Sequence, residues 1–322
     1  MRRQYVLFYL ILAAFGLTEP AQSQDWPQRP VKIIVPFAAG GNADAIARVI
    51  AQHLGDTFKQ QFVVENRAGA AGTIATEAVA RSPADGYTLL LASPSQIAIS
   101  PAVAKTRYDP VRDLVPISIV GTNPKVFVIH PGLPVKSLAE FVDYVRKRPN
   151  KIAFADTGTG SISHLSTVLF LRRTGLEMFA VNYKAAALII ADIIAGHVPT
   201  YFTNLSDVLP NANSGALRLL AVSGEKRSPQ VPDVPTFIEA GYPDLKIVTW
   251  NGLMAPAGTP KEVIERIATE VARGAKYPKI ADRLVASGVD PLGSSPEEFG
   301  AQIATDIALW AEAVRIAGVQ EK

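Results

Sequence analysis

The 322 residues carry 48% hydrophobic and 19% charged side chains, no cysteine, and a formal net charge of +3. This composition excludes wholesale disorder, disulfide stapling, thiolate metal sites and thiol nucleophiles. The near-neutral balance, with no cluster of Lys and Arg interleaved with aromatics, excludes a nucleic-acid footprint.

At the N-terminus, Arg2 and Arg3 precede an apolar run from Val6 to Leu17, and Ala21-Gln22-Ser23 supplies a small-x-small pattern. This reads as a secretory signal over residues 1–23, leaving Gln24 first in the mature chain. Those 23 residues hold two arginines and one glutamate, so the mature chain keeps +2. A membrane anchor is the alternative, but the run is shorter than the ~20 residues a spanning helix needs.

From Val31 onward short apolar runs alternate with helical periodicity, the pattern of an α/β fold. Strands are expected at 31–35, 61–65, 87–92, 117–120, 126–130, 152–155, 178–181, 200–202, 217–222 and 248–254. Helices are expected at 42–54, 73–81, 138–148, 161–173, 186–195, 235–240, 260–273, 278–287 and 296–316. Asn42 is placed to cap the first helix, with Gly55 just past its end. Ser161 is likewise placed to cap a helix that Gly175 ends. No repeat or hydrophilic linker is evident, so two domains would be joined by strands that cross directly. Crossings near Thr122 and Thr249 give one discontinuous domain, 24–122 with 250–322, and a second at 123–249.

Two strand–loop–helix units stand out, Val31 to Gly55 and Ile152 to Leu165. In both, small residues let a ligand approach main-chain N–H groups at a helix start, where the dipole favours an anion. An ordinary tight turn is the competing reading for each. The second loop adds the hydroxyls of Thr157, Thr159 and Ser161. Nucleotide binding finds no support: Gly40-Gly41 lacks G-x-G-x-x-G spacing, and no G-x-x-x-x-G-K-[ST] occurs. Ser161 and His164 lie within one helical turn, but Ser163 stands where a nucleophile elbow needs glycine. Ser161 therefore reads as an N-cap. His53, His130, His164 and His197 show no metal spacing, so no metal or cofactor is expected. Asp44 reads as a loop brace, and Arg67 as one half of an internal salt bridge.

Ordered landmarks then run through nearly the whole mature sequence. They are Trp26-Pro27-x-Arg29-Pro30, Val35-Pro36-Phe37-Ala38-x-Gly40-Gly41-x-x-Asp44, Val64-Glu65-Asn66-Arg67 and Ala84-Asp85-Gly86-Tyr87-Thr88-Leu89-Leu90. Tyr108-Asp109-Pro110-Val111-Arg112-Asp113, Gly158-x-Gly160-Ser161-x-x-His164-Leu165 and Leu219-Leu220-Ala221-Val222 follow. Lys226-Arg227-Ser228-Pro229, Val231-Pro232-Asp233-Val234-Pro235-Thr236 and Trp250-x-Gly252-Leu253-x-Ala255-Pro256-Ala257-Gly258-Thr259-Pro260 complete the set. With these motifs the chain resembles the substrate-binding receptors of tripartite tricarboxylate transporters, the Bug receptor family.

The resemblance implies two Rossmann-like α/β domains with a hinge, the type II periplasmic binding protein fold. It implies a periplasmic monomer that closes on a small organic acid or related solute and presents it to integral-membrane subunits. The ligand carboxylate would meet the loop of Phe37, Ala38, Ala39, Gly40 and Gly41, with Asp44 in the same motif. Ser93 and Ser95, then Thr157, Gly158, Thr159 and Ser161, would complete the cleft, with Tyr183, Thr203 and Asn204 from the second domain. Three positions depart from the family pattern. Ala185-Ala186-Ala187 follows Tyr183-Lys184 where glycines are usual, Thr203 replaces an acidic residue, and Ala39 replaces proline. The first two fall in the domain expected to set specificity. Two other functions remain open: a sensor that delivers solute to a signalling partner, and an exported hydrolase using Ser161 and His164.

Overall fold

The computed structural model describes residues 26–212 and 214–321. The expected secretion signal at 1–23 lies outside them.

The first strand β1 (Val31–Val35) lies between two parallel neighbours, β2 (Phe62–Asn66) and β3 (Thr88–Ala92). Its alternation explains the layering. Val31, Ile33 and Val35 enter one apolar core, while Ile34 enters another on the opposite face. Helix α1 (Asn42–Phe58) covers the first face through Ile46, Val49, Ile50 and Leu54. Helix α2 (Thr73–Ala80) covers the second with Ala75 and Val79. A π-helical turn over Ser95–Ile99 and the short α3 (Ser100–Val103) follow β3.

A 16-residue strand, β4 (Leu114–Ile129), then joins the two lobes. The sequence suggests two strands here, because Gly121, Asn123 and Pro124 interrupt the apolar run. Instead β4 stays paired with β9 (Val248–Pro256), from Leu114 opposite Pro256 to Pro124 opposite Val248. Two register shifts, at 116/118 and 119/121, absorb the irregular residues. From Lys125 onward the same strand pairs instead with β7 (Thr200–Asn204) and, from Val126, β8 (Arg218–Val222). The strand order is β2-β1-β3-β9-β4-β7, continued by β5 (Ala153–Asp156) and β6 (Phe179–Asn182).

The second lobe adds α4 (Leu138–Arg146), β5 (Ala153–Asp156), α5 (Ile162–Thr174), β6 (Phe179–Asn182), α6 (Ala186–Ile194) and α7 (Leu205–Ala212). Phe127 and Ile129 face one core with Phe141, Phe170 and Phe202, while Val126 and Val128 face the other with Ile189 and Val208. Helices thus cover both faces of each sheet, as in doubly wound folds. The chain returns through α8 (Lys261–Lys276), α9 (Pro278–Ala286), the short β10 (Asp290–Pro291) and α10 (Pro296–Ala317). α10 straps the lobes: Phe299 and Ile303 pack in the first, Trp310, Ala313 and Val314 in the second.

Four local expectations change. Gly41, not Asn42, is the N-cap of α1, and no side chain caps that helix. The helix runs through Gly55 and ends at Lys59, left-handed at φ 56°. Residues 235–240 form a single turn closed by Ala240 N–H to the Thr236 carbonyl, with Thr236 and Glu239 bonded to each other's backbone N–H. Helix α7 was hidden in the sequence by Pro210, which it accommodates near its C-terminal end.

Candidate functional site

Loop 37–41 leaves β1 for α1 with Ala38, Ala39, Gly40 and Gly41 exposed and Phe37 half-buried against the first core. Gly40 is left-handed at φ 83°, with no atom within 4 Å of where a Cβ would stand. The loop is therefore bare on its outer side. It is pinned from within: Gly40 N–H donates to Asp44 Oδ2 at 3.0 Å, and Asn66 Nδ2 donates to the Phe37 carbonyl at 3.1 Å. Asp44 is buried, and the hydrogen bond from Arg48 holds its carboxyl below the usual range. Of the candidate donors, the Gly40 amide is thus already committed. What remains open is the uncapped start of α1, whose first N–H groups have no intrahelical acceptor. Arg67 pairs with Glu65 at 2.6 Å, as the sequence suggests.

The second loop is different. Its own side chains take three of the amides that the sequence leaves open. Thr157 N–H donates to Ser163 Oγ at 3.1 Å, Gly158 N–H to Asp156 Oδ1 at 2.7 Å, and Gly160 N–H to His164 Nδ1 at 3.3 Å. Ser161 Oγ accepts the His164 N–H at 3.2 Å, making it the N-cap of α5. Burial pushes the Asp156 carboxyl up and the His164 imidazole down. Ser161 engages the backbone of His164, not its ring, so no nucleophile–base pair is formed. Among residues 157–161 the exposed Thr159 amide alone makes no hydrogen bond, so the loop offers that amide together with its hydroxyls.

A cavity of 860 Å³ brings that hydroxyl loop against the first lobe. Thr157, Gly158, Thr159 and Ser161 line it from one side, and Ser95, Ile74 and Tyr108 from the other. Lys105 and Arg107 line it as well, both exposed. Ser93 is buried and donates its hydroxyl to Gln96 Oε1 at 2.7 Å. The first loop meets a different part of the second lobe. Gly40, Gly41 and Asn42 share a 440 Å³ cavity with Ser206, Asp207 and Pro210 of α7. The two loops that the resemblance places on one cleft line separate cavities.

Tyr183, Thr203 and Asn204 are drawn into bonds within the second lobe or the crossing. Tyr183 donates its hydroxyl to Asp192 Oδ2 at 2.8 Å, and its own ionisation is pushed up to about 12, chiefly by burial. Thr203 is buried and donates to Asp207 Oδ2 at 2.6 Å. Asn204 is half-buried, and its Oδ1 accepts from Thr249 Oγ1 at 3.2 Å and from Lys125 Nζ at 3.4 Å. Lys125, buried at the strand crossing, and Asp207, on the wall of the Gly40 cavity, are features that reading for loops missed. A lysine directly before the apolar run Val126 to Ile129 was the available signal for the first. Among the described residues no cluster of His, Asp and Glu has the makings of a metal site, and no helix is long and apolar enough to cross a membrane.

A family model described as the tripartite tricarboxylate transporter family receptor matches residues 46–318. Protein BugT of Bordetella pertussis is 37% identical over 327 residues, spanning 100% of this chain and 99% of that protein. Among solved structures, an R. palustris protein with adipate is 37% identical at a TM-score of 0.78, covering 91% of this chain and 99% of that one. MatC from Rhodopseudomonas palustris with bound malate is 29% identical at a TM-score of 0.73, covering 90% and 100%.

Proposed function

The chain belongs to the tripartite tricarboxylate transporter receptor family, and from that membership we propose that it captures a small carboxylate-bearing solute between its lobes and delivers it to the membrane subunits of such a transporter. It is a solute-binding receptor rather than an enzyme, with the two-domain α/β fold of periplasmic binding proteins. The reading takes residues 1–23 as a removed signal and the periplasm as the working compartment. It takes 24–122 with 250–322 as one domain and 123–249 as the other, with α10 strapped across both.

The observation that carries the solute class is the start of α1: an exposed loop, an uncapped helix terminus, and Asp44 holding the turn from behind. A hydrogen bond to a charged group contributes ~1.5–3 kcal/mol, and a helix terminus adds ~0.3–1 kcal/mol. Three or four such contacts approach the ~8 kcal/mol of a micromolar complex before ordering costs are subtracted. Hydroxyls of Thr157, Thr159 and Ser161 would engage as the lobes close, a shift driven by contacts formed only in the closed state.

A thermal-shift panel of mono- and dicarboxylic acids on the mature chain tests this. Adipate and malate belong in it because similar proteins were solved with them. The expected result is a rise in melting temperature with at least one acid, lost in Gly40→Val, whose side chain would occupy the open side of the loop. Unchanged binding by a folded Gly40→Val variant would overturn the loop assignment.

A further inference from the structure

Of the described residues that line the 440 Å³ cavity between the lobes, Asp207 alone carries an ionisable side chain. It lies on the second-lobe wall, with Gly40 and Gly41 on the first. Two structural tasks already engage it. It stands in the first turn of α7, where the dipole favours an acid, and its Oδ2 accepts the Thr203 hydroxyl at 2.6 Å. Both leave the second oxygen free: Oδ1 has no hydrogen-bond partner among the described residues and is not buried. Thr203 itself stands where the family pattern carries an acidic residue. In this chain the acid comes one helical turn later, and the hydroxyl of Thr203 holds it in place. The exchange moves negative charge from a buried strand position to the cavity wall. No described cation shares that wall. Lys125 feels the charge from inside the fold, but it is 2% exposed, gives its ammonium to Asn204 at 3.4 Å and lines neither cavity.

The cavity therefore presents an anion to whatever group of the solute reaches the second-lobe wall. A second carboxylate there meets a like charge, which is disfavoured. A protonated nitrogen instead gives Oδ1 the donor it lacks, in a charge-assisted bond roughly twice as strong as a neutral one. We infer that Asp207 is the specificity-determining side chain of the second-lobe wall, and that it selects a solute with a carboxylate at the α1 loop and an ammonium at its other end. Asp207 touches the solute directly, whereas Thr203 positions Asp207. This rests on the reading of the protein as a carboxylate receptor and deepens it: one end of the solute is acidic and the other is basic.

The test compares adipate with 5-aminopentanoate, which puts an ammonium in place of one carboxylate on the same methylene chain. Succinate and 3-aminopropanoate repeat the comparison on a shorter chain. Calorimetry on wild type and Asp207→Asn gives the affinities, with the melting temperature of each solute-free protein recorded. Wild type is expected to prefer at least one amino acid to its matching diacid by about tenfold, the scale of one hydrogen bond to a charged group. Asp207→Asn keeps an acceptor for the Thr203 hydroxyl, so it should stay folded, lose that preference and bind the diacid more tightly than wild type does. A purely structural Asp207 would shift the melting temperature and leave the ratio alone. The inference is overturned if wild type binds neither amino acid more tightly than its diacid, a result that needs no variant. It is overturned equally if folded Asp207→Asn keeps the wild-type ratio. In both cases the carboxylate reading stands as long as an acid of the thermal-shift panel binds. If no compound of either set binds, the carboxylate reading falls, and this inference falls with it.

Discussion

Gly40 donates its backbone N–H to Asp44 Oδ2 at 3.0 Å, closing a turn between the end of β1 and the first turn of α1. The same oxygen accepts from Arg48 Nε at 3.0 Å. Asp44 therefore spends its charge on shaping the loop, as an acidic residue in a first helical turn is disposed to do. Asp44→Ala should lower stability by about 1–3 kcal/mol through the orphaned loop amide and weaken solute binding more than it weakens the fold. The pH dependence has a definite sign. The Arg48 hydrogen bond lowers the folded-state pKa, so the stabilisation is present above the ordinary carboxylate range and disappears as the pH falls below it. Urea titrations of wild type and variant should therefore converge at acid pH. A gap that persists there would mean that the side chain acts by packing alone.

This pair marks what sequence could show. The strand–loop–helix path from Val31 to Gly55 is legible because the apolar period switches from 2 to 3.6 across a run of small residues. The loop at 156–161 looks equally bare, since sequence cannot reveal that Asp156, Ser163 and His164 fold back to take its amides. β4 read as two strands because Gly121 and Pro124 are strand breakers, and only the pairing with β9 carries the chain through them. Lys125 and Asn204 are 79 residues apart, and their pairing exists only once β4 and β7 lie antiparallel.

Ser161→Ala separates a cap from a nucleophile. Ser161 Oγ accepts the N–H of His164, the third residue into α5. Losing that acceptor costs about 0.5–2 kcal/mol. The expected outcome is a chemical-denaturation midpoint that falls with an unchanged m-value. Ester or amide turnover by wild type that disappears in the variant would contradict the cap assignment.

Gly288 closes the first-lobe side of the same cavity that Gly40 opens. Its φ is 73°, and a Cβ there would overlap the Ser206 side chain of α7, with the Ser206 Cα 3.0 Å away. Ser206 in turn accepts from Asn123 Nδ2 at 2.8 Å, at the strand crossing. Gly288→Ala must therefore push α7 away from the first lobe or break that bond, an overpacking cost of about 1–3 kcal/mol. The effect belongs to lobe spacing as well as to stability. Small-angle scattering should show a larger radius for the solute-free variant, and solute affinity should drop by about tenfold or more. An unchanged radius with unchanged affinity would mean that Ser206 repacks without moving the lobes.

Asp306 gives the clearest pH signature, because it lies buried in the helix that straps both lobes. Its Oδ2 accepts from Trp250 Nε1 at 2.6 Å and its Oδ1 from Gln302 Nε2 at 2.9 Å. Burial nevertheless dominates and pushes its carboxyl up to about 6. A folded-state pKa above the unfolded value means that the folded protein holds the proton more tightly. Its contribution is then fully present below the unfolded carboxylate range and is lost as the pH rises through about 6. By neutral pH the loss is on the order of 3 kcal/mol, from a shift of roughly two units at 1.36 kcal/mol each. Asp306→Asn keeps an acceptor for Trp250 and carries no charge, with Gln302 free to turn its amide to match. It should equal or exceed wild type at pH 7 and show a flatter stability profile between pH 4 and about 7. A variant less stable than wild type at pH 7, with the same slope, would show that the ionised carboxylate is worth more to Trp250 and Gln302 than its burial costs.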